Sequence, residues 1–308
     1  MSDRLAVELC GAHLENPLVN GSGTLDALAT GTLGLGAYVT KTITSRPREG
    51  NSPQRIAETP AGMVNSIGLA NPGLAAFCRS VAPALAELAL PLVVSIGGWS
   101  PDEYAEAVRR VSVLPGVVAV ELNVSCPNVD SGCISIGSDP AETRALVRRC
   151  CAEGELPVLA KLSPSVADVA AIGEAAAEGG AAGLVVINTV RGMAIDRDTL
   201  RPLLGGGGGG LSGPAVKPAG LHAVFHCYAR TGLPIVGMGG VASTQDVVEY
   251  LAAGAAAVGL GTALFRDPGL PARILPELDG ELARRGLASV ADLVGYAHQP
   301  QAKALQEI

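Results

Sequence analysis

Val117-Val-Ala-Val-Glu-Leu-Asn-Val-Ser-Cys-Pro-Asn128 is a largely β-branched apolar run that stops abruptly at a cluster of small polar residues. The run predicts a buried strand, and the polar cluster predicts a loop at the C-terminal end of that strand. Cys126 lies in this loop beside Asn123, Ser125 and Asn128. A free cysteine is commonly a small buried hydrophobe, whereas a thiol with polar neighbours is a candidate for a reactive role. Both interpretations of Cys126 stay open at this point.

Seven further short apolar runs alternate with alanine-rich segments along the chain. The eight predicted strands are residues 17–20, 37–41, 92–96, 117–123, 158–162, 184–188, 234–238 and 256–260. Helix-start signals predict helices at residues 102–111, 141–151 and 244–253. Eight βα units predict a closed (β/α)8 TIM barrel, an α/β fold formed as a single domain over residues 1–308. An open doubly wound sheet is the alternative, but residues 20–24 lack its glycine-rich fingerprint.

Composition restricts the class of partner. The 308-residue chain carries a net charge of −7 and has a pI near 5.2, which argues against nonspecific binding to nucleic acid or to an anionic membrane surface. No run of about eighteen uncharged apolar residues occurs, so we expect no membrane-spanning helix and a cytoplasmic location. The seven cysteines are odd in number and form no C-x-x-C pattern, so neither a disulfide framework nor a metal site is expected in this chain.

Three other patterns are best explained without a ligand. The six glycines at residues 205–210 match a nucleotide-binding pattern only formally, because no strand ends immediately before them, so they predict a flexible loop. His222 and His226 are one helical turn apart, but no acidic residue of an H-E-x-x-H pattern lies between them. We expect both to be ordinary helix residues. The segment from Leu270 onward predicts a terminal helix and tail without a chemical role.

Polar residues or glycines end almost every predicted strand, which is where a TIM barrel carries its functional residues. Lys41 and Lys161 end the second and fifth strands. Two ammonium groups in a barrel mouth are costly unless an anion accepts them, so the pair indicates an anionic ligand. The last two strands end in Gly239-Gly240 and Gly261-Thr262, the common phosphate-binding position of such barrels. A phosphorylated cofactor or substrate is therefore expected.

The loops after the strands also contain a set of longer motifs. In order they are Asn20-Gly-Ser-Gly23, Val39-Thr-Lys41, Arg46-Pro-Arg-Glu-Gly-Asn51, Glu58-Thr-Pro-Ala-Gly-Met-Val-Asn-Ser-Ile-Gly-Leu69, Asn123-Val-Ser-Cys-Pro-Asn128, Ile187-Asn-Thr189, Gly210-Leu-Ser-Gly-Pro-Ala-Val-Lys217 and Gly237-Met-Gly-Gly240. This ordered set resembles the family 1 dihydroorotate dehydrogenases, and most closely their heteromeric, NAD-linked branch (type 1B). The resemblance implies oxidation of dihydroorotate to orotate in pyrimidine biosynthesis, with FMN bound at the barrel mouth.

The resemblance also implies roles for individual residues. Cys126 is the implied base that takes the C5 proton while a hydride leaves C6 for the flavin, and an ordinary thiol pKa of ~8.5 is close enough to neutrality for that role. Lys161 is implied near N1 and O2 of the flavin, where a cation favours the anionic reduced form. The implied substrate-binding residues are Lys41, Asn65, Ser66, Ile67, Gly68, Leu69, Asn123, Asn188 and Thr189. The implied FMN-binding residues are Ser22, Lys41, Thr42, Ser95, Asn123, Lys161, Ile187, Gly213, Gly239, Gly240, Gly261 and Thr262.

The chain departs from the family pattern at Ser95, where an asparagine usually contacts the flavin. Serine is shorter and lacks the amide, so either a water fills the gap or the flavin binds less tightly. Trp99, the only tryptophan, is also unexpected, and ordinary packing is the preferred explanation.

The resemblance to the heteromeric branch also implies where the electrons go after the flavin of this chain. It implies a separate electron-transfer subunit that carries FAD and a [2Fe–2S] cluster and passes electrons to NAD, together with a homo-oligomeric core of this chain. The alternatives are a homodimeric enzyme that uses fumarate, a flavin-dependent pyrimidine reductase of the dihydropyrimidine dehydrogenase type, and a non-catalytic flavin-binding homologue.

Overall fold

Eight short parallel strands form the centre of the molecule in the computed structural model, which describes residues 3–124 and 136–300. Labelled in chain order, they are β1 (Leu18–Asn20), β2 (Tyr38–Val39), β3 (Leu92–Ile96), β4 (Val117–Asn123), β5 (Val158–Lys161), β6 (Gly183–Val186), β7 (Ile235–Met238) and β8 (Ala257–Leu260). They pair in the order β1-β8-β7-β6-β5-β4-β3-β2. The TIM barrel prediction is confirmed. Strands β3 and β4 have the predicted bounds, and the others differ by one or two residues at an end.

The barrel closes between β1 and β2, where the main-chain ladder is short. One parallel bridge joins Val19 to Ala37. Beside it, the fully buried side-chain amide of Asn20 donates to the carbonyl of Val39 at 2.8 Å and accepts from the N–H of Val39 at 2.8 Å. The amide thus replaces a pair of main-chain hydrogen bonds at the seam, which satisfies groups that would otherwise be buried without partners. Closure excludes the open doubly wound sheet.

Helices cover the outside of the barrel, and those predicted from helix-start signals are present within one residue of the predicted bounds. Their N-cap side chains accept a hydrogen bond from the N–H three residues further on; these caps are Ser100, Asp139 and Ser243. The helices are Ala27–Thr30, Leu74–Ala76, Ala82–Ala86, Pro101–Val111, Pro140–Cys151, Val169–Glu178, Lys217–Thr231, Thr244–Ala252, Ala263–Arg266 and Leu270–Arg285, with a π-helical turn at Phe77–Val81. Short 3₁₀ turns lie at Asp3–Leu5, Ile136–Ser138, Pro214–Val216, Val290–Leu293 and Tyr296–His298.

A second, antiparallel sheet lies in the segments that follow β2 and β6. Its strands, in spatial order, are Val190–Gly192, Gly209–Ser212, Gly62–Asn65 and Ile56–Thr59; we call them the cap sheet. The prediction of a flexible loop at residues 205–210 is therefore wrong for Gly209 and Gly210, which begin a strand. Glycine is needed in this strand because a Cβ on Gly209 would lie 2.2 Å from the carbonyl oxygen of Asn65. A separate hairpin pairs Val7–Leu9 with Ala12–Leu14.

Aliphatic side chains make up the main core, and a smaller cluster lies under the cap sheet. Fully buried leucines from four successive strands are Leu92, Leu122, Leu159 and Leu184. The smaller cluster contains Ala57, Val64 and Leu204. Among the described residues, no helix has both the length and the apolarity needed to cross a membrane.

The two histidines of the predicted helix lie on Lys217–Thr231, with their ring centroids 4.4 Å apart. Over residues 3–124 and 136–300, no group of three or more histidine, cysteine or acidic side chains has metal-binding geometry. The five cysteines of those two ranges have free thiols. His222 and His226 thus contact each other as ring neighbours on one helix face.

Candidate active site at the barrel mouth

Three polar side chains from adjacent strands meet inside the barrel. Ser95 on β3, Glu121 on β4 and Lys161 on β5 are 0%, 1% and 6% exposed. The hydroxyl of Ser95 donates to Oε1 of Glu121 at 2.7 Å, and Nζ of Lys161 lies 3.5 Å from the same oxygen. A buried carboxylate and a buried ammonium are each costly alone, so the ion pair and the hydroxyl make the burial of both tolerable.

Further hydrogen bonds extend this group across the barrel. Oγ1 of Thr42 lies 3.0 Å from Oγ of Ser95 and 3.2 Å from Oγ of Ser22. The side-chain amide of Asn123 donates to Thr42 at 3.2 Å. Its carbonyl oxygen accepts from the amide of Asn188 at 3.3 Å. Five residues that the sequence implicates in ligand binding therefore share one hydrogen-bonded network.

Lys41 lies at the edge of this network against the loop after β1. A Cβ on Gly23 would lie 2.7 Å from Cδ of Lys41 and 3.2 Å from its Nζ. Gly23 also has a φ of +76°, a conformation that favours glycine. The loop thus packs directly on the lysine side chain.

The loop at residues 65–69 is held by side chains from the preceding segment. Ser66 is buried and its hydroxyl accepts a 2.8 Å hydrogen bond from the amide of Asn51. Nε of Arg48 donates to the carbonyl of Gly68 at 3.1 Å. With that carbonyl occupied and Gly68 at a φ of +71°, the loop is fixed in a tight turn.

Trp99 contacts the residue that anchors this loop. The guanidinium of Arg48 lies 4.7 Å from the ring centroid of Trp99, a cation–π distance. The main-chain N–H of Trp99 donates to Oε2 of Glu103 at 2.6 Å, and Ser45 donates to Oε1 of the same carboxylate at 2.9 Å. The indole of Trp99 is thus packed against Arg48, which in turn donates to the carbonyl of Gly68 in the 65–69 loop.

The cap sheet brings two distant segments of the predicted site together at Gly210. The side-chain amide of Asn65 donates to the carbonyl of Gly210 at 3.2 Å. On the other side, a Cβ on Gly210 would lie 1.9 Å from Oγ1 of Thr189. The N–H of Thr189 donates to the side-chain oxygen of Asn188 at 2.8 Å. The amide and hydroxyl groups on this side of the mouth are thereby positioned relative to the 65–69 loop.

A glycine-rich rim forms the other side of the mouth. Gly213, Gly239 and Gly240 have φ values of +99°, +128° and +71°. A Cβ on Gly240 would lie 2.8 Å from the carbonyl of Gly213, so the two segments touch through bare main chain. A Cβ on Gly261 would meet no atom within 4 Å, which leaves open space beside it. Main-chain amides beside open space can bind an anion, so the rim fits a phosphate group.

Lys217 lies beside this rim but is already engaged. Its ammonium is 2.5 Å from Oδ1 of Asp246 and 2.8 Å from Oε2 of Glu249. Hydrogen bonds to Asp246 and then Glu249 raise the pKa of Lys217, which keeps it charged. Its charge is therefore satisfied within the protein by two carboxylates.

Ile187 completes the contact between the two sides. It is buried, and its Cγ1 lies 3.7 Å from where a Cβ on Gly239 would stand. On the rim, the hydroxyl of Thr262 donates to Oγ of Ser212 at 2.6 Å. Within the described residues, the predicted ligand-binding set thus forms two linked groups, a polar centre and a glycine rim.

Cys126 lies outside the described residues, together with Ser125 and Asn128. Its role therefore remains a prediction. Asn123 and Val124, which lead into that loop, are described, and the carbonyl of Asn123 accepts a 2.9 Å hydrogen bond from the buried hydroxyl of Tyr104. The start of the loop is thus fixed at the end of β4.

Glu121 lies at the centre of this network but is absent from the predicted ligand-binding set. Because it stands two positions before Asn123, it must point to the same side of β4 as that residue. Its partner Lys161 is predictable from its position at a strand end. For Glu121 the available signal in the sequence is a charged residue inside an apolar strand.

Comparison with known proteins agrees with this architecture. The family model described as dihydroorotate dehydrogenase matches residues 4–282. A relative from Desulforudis audaxviator, named dihydroorotate dehydrogenase B (NAD(+)), catalytic subunit, is 45% identical over 304 residues, which cover 97% of this chain and 99% of that protein. The protein of the same name from Geobacillus kaustophilus is 41% identical over 308 residues, with 98% of both chains covered.

Among solved structures, a dihydroorotate dehydrogenase from Eimeria tenella in complex with ferulenol matches with a TM-score of 0.81. The match covers 97% of this chain and 90% of that chain, at 23% sequence identity. At this identity the likeness supports the barrel fold alone.

Proposed function

Because this chain belongs to the dihydroorotate dehydrogenase family, we propose that it is an oxidoreductase that converts dihydroorotate to orotate in pyrimidine biosynthesis. The observation that carries the proposal is the buried network in which Asn123, Asn188 and Lys161 converge on one side of the barrel mouth. Amide side chains offer both donors and acceptors, which suits the alternating N–H and C=O edge of a pyrimidine. The nearby ammonium suits an anionic ligand.

The residues of the mouth fit FMN as the cofactor. The glycine rim of Gly213, Gly239, Gly240 and Gly261 would hold the phosphate through main-chain amides, and Lys161 would face the pyrimidine part of the ring system. Bound FMN would supply the acceptor for the hydride that leaves C6 of the substrate. The remaining proposed contacts come from Ser22, Lys41, Thr42, Ser95, Asn123, Ile187 and Thr262.

The substrate would lie between the polar network and the 65–69 loop. The main-chain amides around Gly68 are suited to its carboxylate, because the carbonyl of Gly68 is turned toward Arg48. Lys41 adds a positive charge at the same end. The further proposed substrate contacts are Asn65, Ser66, Ile67, Leu69, Asn123, Asn188 and Thr189.

We assign the base to Cys126, which follows the fixed end of β4. A thiolate there would take the proton from C5 as a hydride leaves C6 for the flavin, so that the substrate loses one proton and one hydride and gains a C5=C6 double bond. The thiol pKa of ~8.5 in an unperturbed cysteine is within reach of neutrality, and general-base catalysis is most effective near that range.

An anaerobic titration tests this function. Purified chain reconstituted with FMN is mixed with dihydroorotate, and loss of the yellow absorbance is recorded; dihydrouracil, which lacks the carboxylate, is the matched control. We expect bleaching by dihydroorotate and little by dihydrouracil. A flavin that stays oxidised under excess dihydroorotate would contradict the proposal, and preference for dihydrouracil would favour a pyrimidine reductase instead.

The names of the relatives support a further proposal about electron transfer. Those proteins are catalytic subunits linked to NAD(+), and we infer a separate subunit carrying FAD and a [2Fe–2S] cluster. The isolated chain should then reduce artificial dyes but not NAD, and purification from the native host should recover the iron–sulfur flavoprotein. Turnover with fumarate and no recovered partner would replace this proposal with a homomeric enzyme.

A further inference from the structure

Glu121 has no role in the ligand-binding set described above, yet it lies at the centre of the polar network. Its side chain is 1% exposed, and its Oε1 is shared by the hydroxyl of Ser95 and the ammonium of Lys161. A carboxylate buried this deeply is retained only where its charge is compensated. The lysine that would face the flavin therefore has a carboxylate neighbour at 3.5 Å.

This neighbour changes what Lys161 can do for a ligand. A lone ammonium would strongly favour negative charge on a nearby ring system. With Glu121 beside it, part of that field is cancelled, and the ammonium is held toward β4. The charge that an FMN at the mouth experiences is thus the sum of the pair.

Ser95 binds the carboxylate of Glu121 and links it by hydrogen bonds to residues across the barrel. A serine has one hydroxyl proton, and Ser95 donates it to Glu121, so Thr42 is the donor in the 3.0 Å contact between the two hydroxyls. Thr42 then accepts from the amide of Asn123. The bonds from Asn123 to Glu121 all run in one direction, which strengthens each of them.

We propose that Glu121 is a positioning residue that fixes Lys161 and lowers the reduction potential of the bound flavin, with Ser95 as its anchor. The proposal rests on the proposed function, since it concerns FMN at this mouth. A lower potential makes the reduced flavin a better electron donor to the next carrier. Ser95 then contributes to setting the potential by holding Glu121 in place, in addition to any contact that it makes with the flavin.

The test is a spectroelectrochemical measurement of the flavin potential in Glu121→Gln, which removes the charge and keeps the shape. We expect the equilibrium to shift at least tenfold toward reduced flavin, about 30 mV upward for a two-electron couple. Lys161→Met should shift it in the opposite direction. Glu106→Gln, which removes a half-buried carboxylate paired with Arg109 on Pro101–Val111, is the matched control and should leave the potential unchanged.

If Glu121 had only a structural role, the flavin potential would not rise in Glu121→Gln and fall in Lys161→Met. An unchanged or lowered potential in FMN-loaded Glu121→Gln overturns the proposal. If that variant does not fold, the double variant Glu121→Gln with Lys161→Met carries a neutral pair. Compared with Lys161→Met alone, its equilibrium should lie at least tenfold further toward reduced flavin, about 30 mV higher in potential. Equal potentials of these two variants overturn the proposal.

Wild-type chain that binds no FMN would overturn the proposed function together with this inference. Bleaching by dihydroorotate without these shifts in potential would overturn only the inference about Glu121.

Discussion

The hydroxyl of Tyr250 donates a 2.7 Å hydrogen bond to the main-chain carbonyl of Gly239. It thereby ties the helix Thr244–Ala252 to the glycine rim at the end of β7. The ring is fully buried, and burial, aided by the nearby carboxylates of Asp246 and Glu249, raises the pKa of the phenol, so the hydroxyl keeps the proton that it donates at neutral pH.

Tyr250→Phe is expected to lower the free energy of unfolding by about 1 kcal/mol, because a buried carbonyl loses its partner. The loss should be visible in denaturant titrations of the chain with and without FMN. Tyr296→Phe is the matched control, since Tyr296 is 49% exposed. Equal stability of the two variants would show that the Gly239 carbonyl finds another donor.

Gly210→Ala should raise the KM for dihydroorotate while the flavin content is kept. The added methyl would stand 1.9 Å from Oγ1 of Thr189, so Thr189 must move away from the mouth. A displacement of about 1 Å at a positioning residue can cost up to about 10²-fold in catalysis, so kcat/KM should fall as KM rises. Gly208→Ala in the same segment is the control, since its Cβ would have an ordinary 3.5 Å contact. Identical KM values for the two variants would remove Thr189 from the substrate site.

The barrel strands are predictable because each is a short apolar run bounded by a polar or glycine residue, and a strand buried on both faces needs no other signal. The cap sheet is not predictable in the same way. Gly209 and Gly210 have low strand propensity, and their pairing with Asn65 joins residues 145 positions apart. Such pairing depends on the finished barrel, which brings the two loops together.

The residues of the candidate site also fall into those that the sequence predicts and those that only the structure reveals. Lys161 and Asn123 are recognisable from the sequence because they stand at strand ends. The role of Glu121 depends on its distances to side chains of β3 and β5, which strand prediction alone does not supply. The same holds for Trp99, whose contact with Arg48 requires knowledge of how the 65–69 loop folds back.

Asp246→Asn should destabilise the protein in a pH-dependent manner. Burial alone would raise the pKa of Asp246, but hydrogen bonds from Lys217, the N–H of Ala242 and the hydroxyl of Ser243 outweigh it and leave the pKa below its usual value. The ionised group therefore contributes stability above its unfolded pKa of about 3.9, and this contribution is lost as the pH falls through the folded value. We expect a loss of about 2 kcal/mol at pH 7 and a smaller loss at pH 2.

Urea titrations at several pH values measure this difference. Asp102→Asn is the control, because the Asp102 side chain is 91% exposed. A destabilisation by Asp246→Asn that is equally large at both pH values would assign the effect to packing and not to the charge.

Cys126→Ala is expected to slow flavin reduction by dihydroorotate at pH 7 at least ~10²-fold, because the proton at C5 loses its acceptor. Orotate should still perturb the flavin spectrum, since the polar network that we assign to its binding is unchanged. Stopped-flow absorbance under anaerobic conditions measures the rate. Cys151→Ala, a half-buried thiol on the helix Pro140–Cys151, is the control. A Cys126→Ala rate within twofold of wild type would exclude the thiol from the mechanism.

The cap sheet has its own apolar cluster of Ala57, Val64 and Leu204, separate from the barrel core. A unit with so few buried contacts opens at lower free energy than the body on which it sits. Its amide hydrogens should therefore exchange with solvent through local opening, well before those of β4 or β7. Substrate affinity and global stability can consequently vary independently in this protein, because Asn65 of the proposed substrate site belongs to a layer that can open while the barrel, with the proposed flavin site, stays folded.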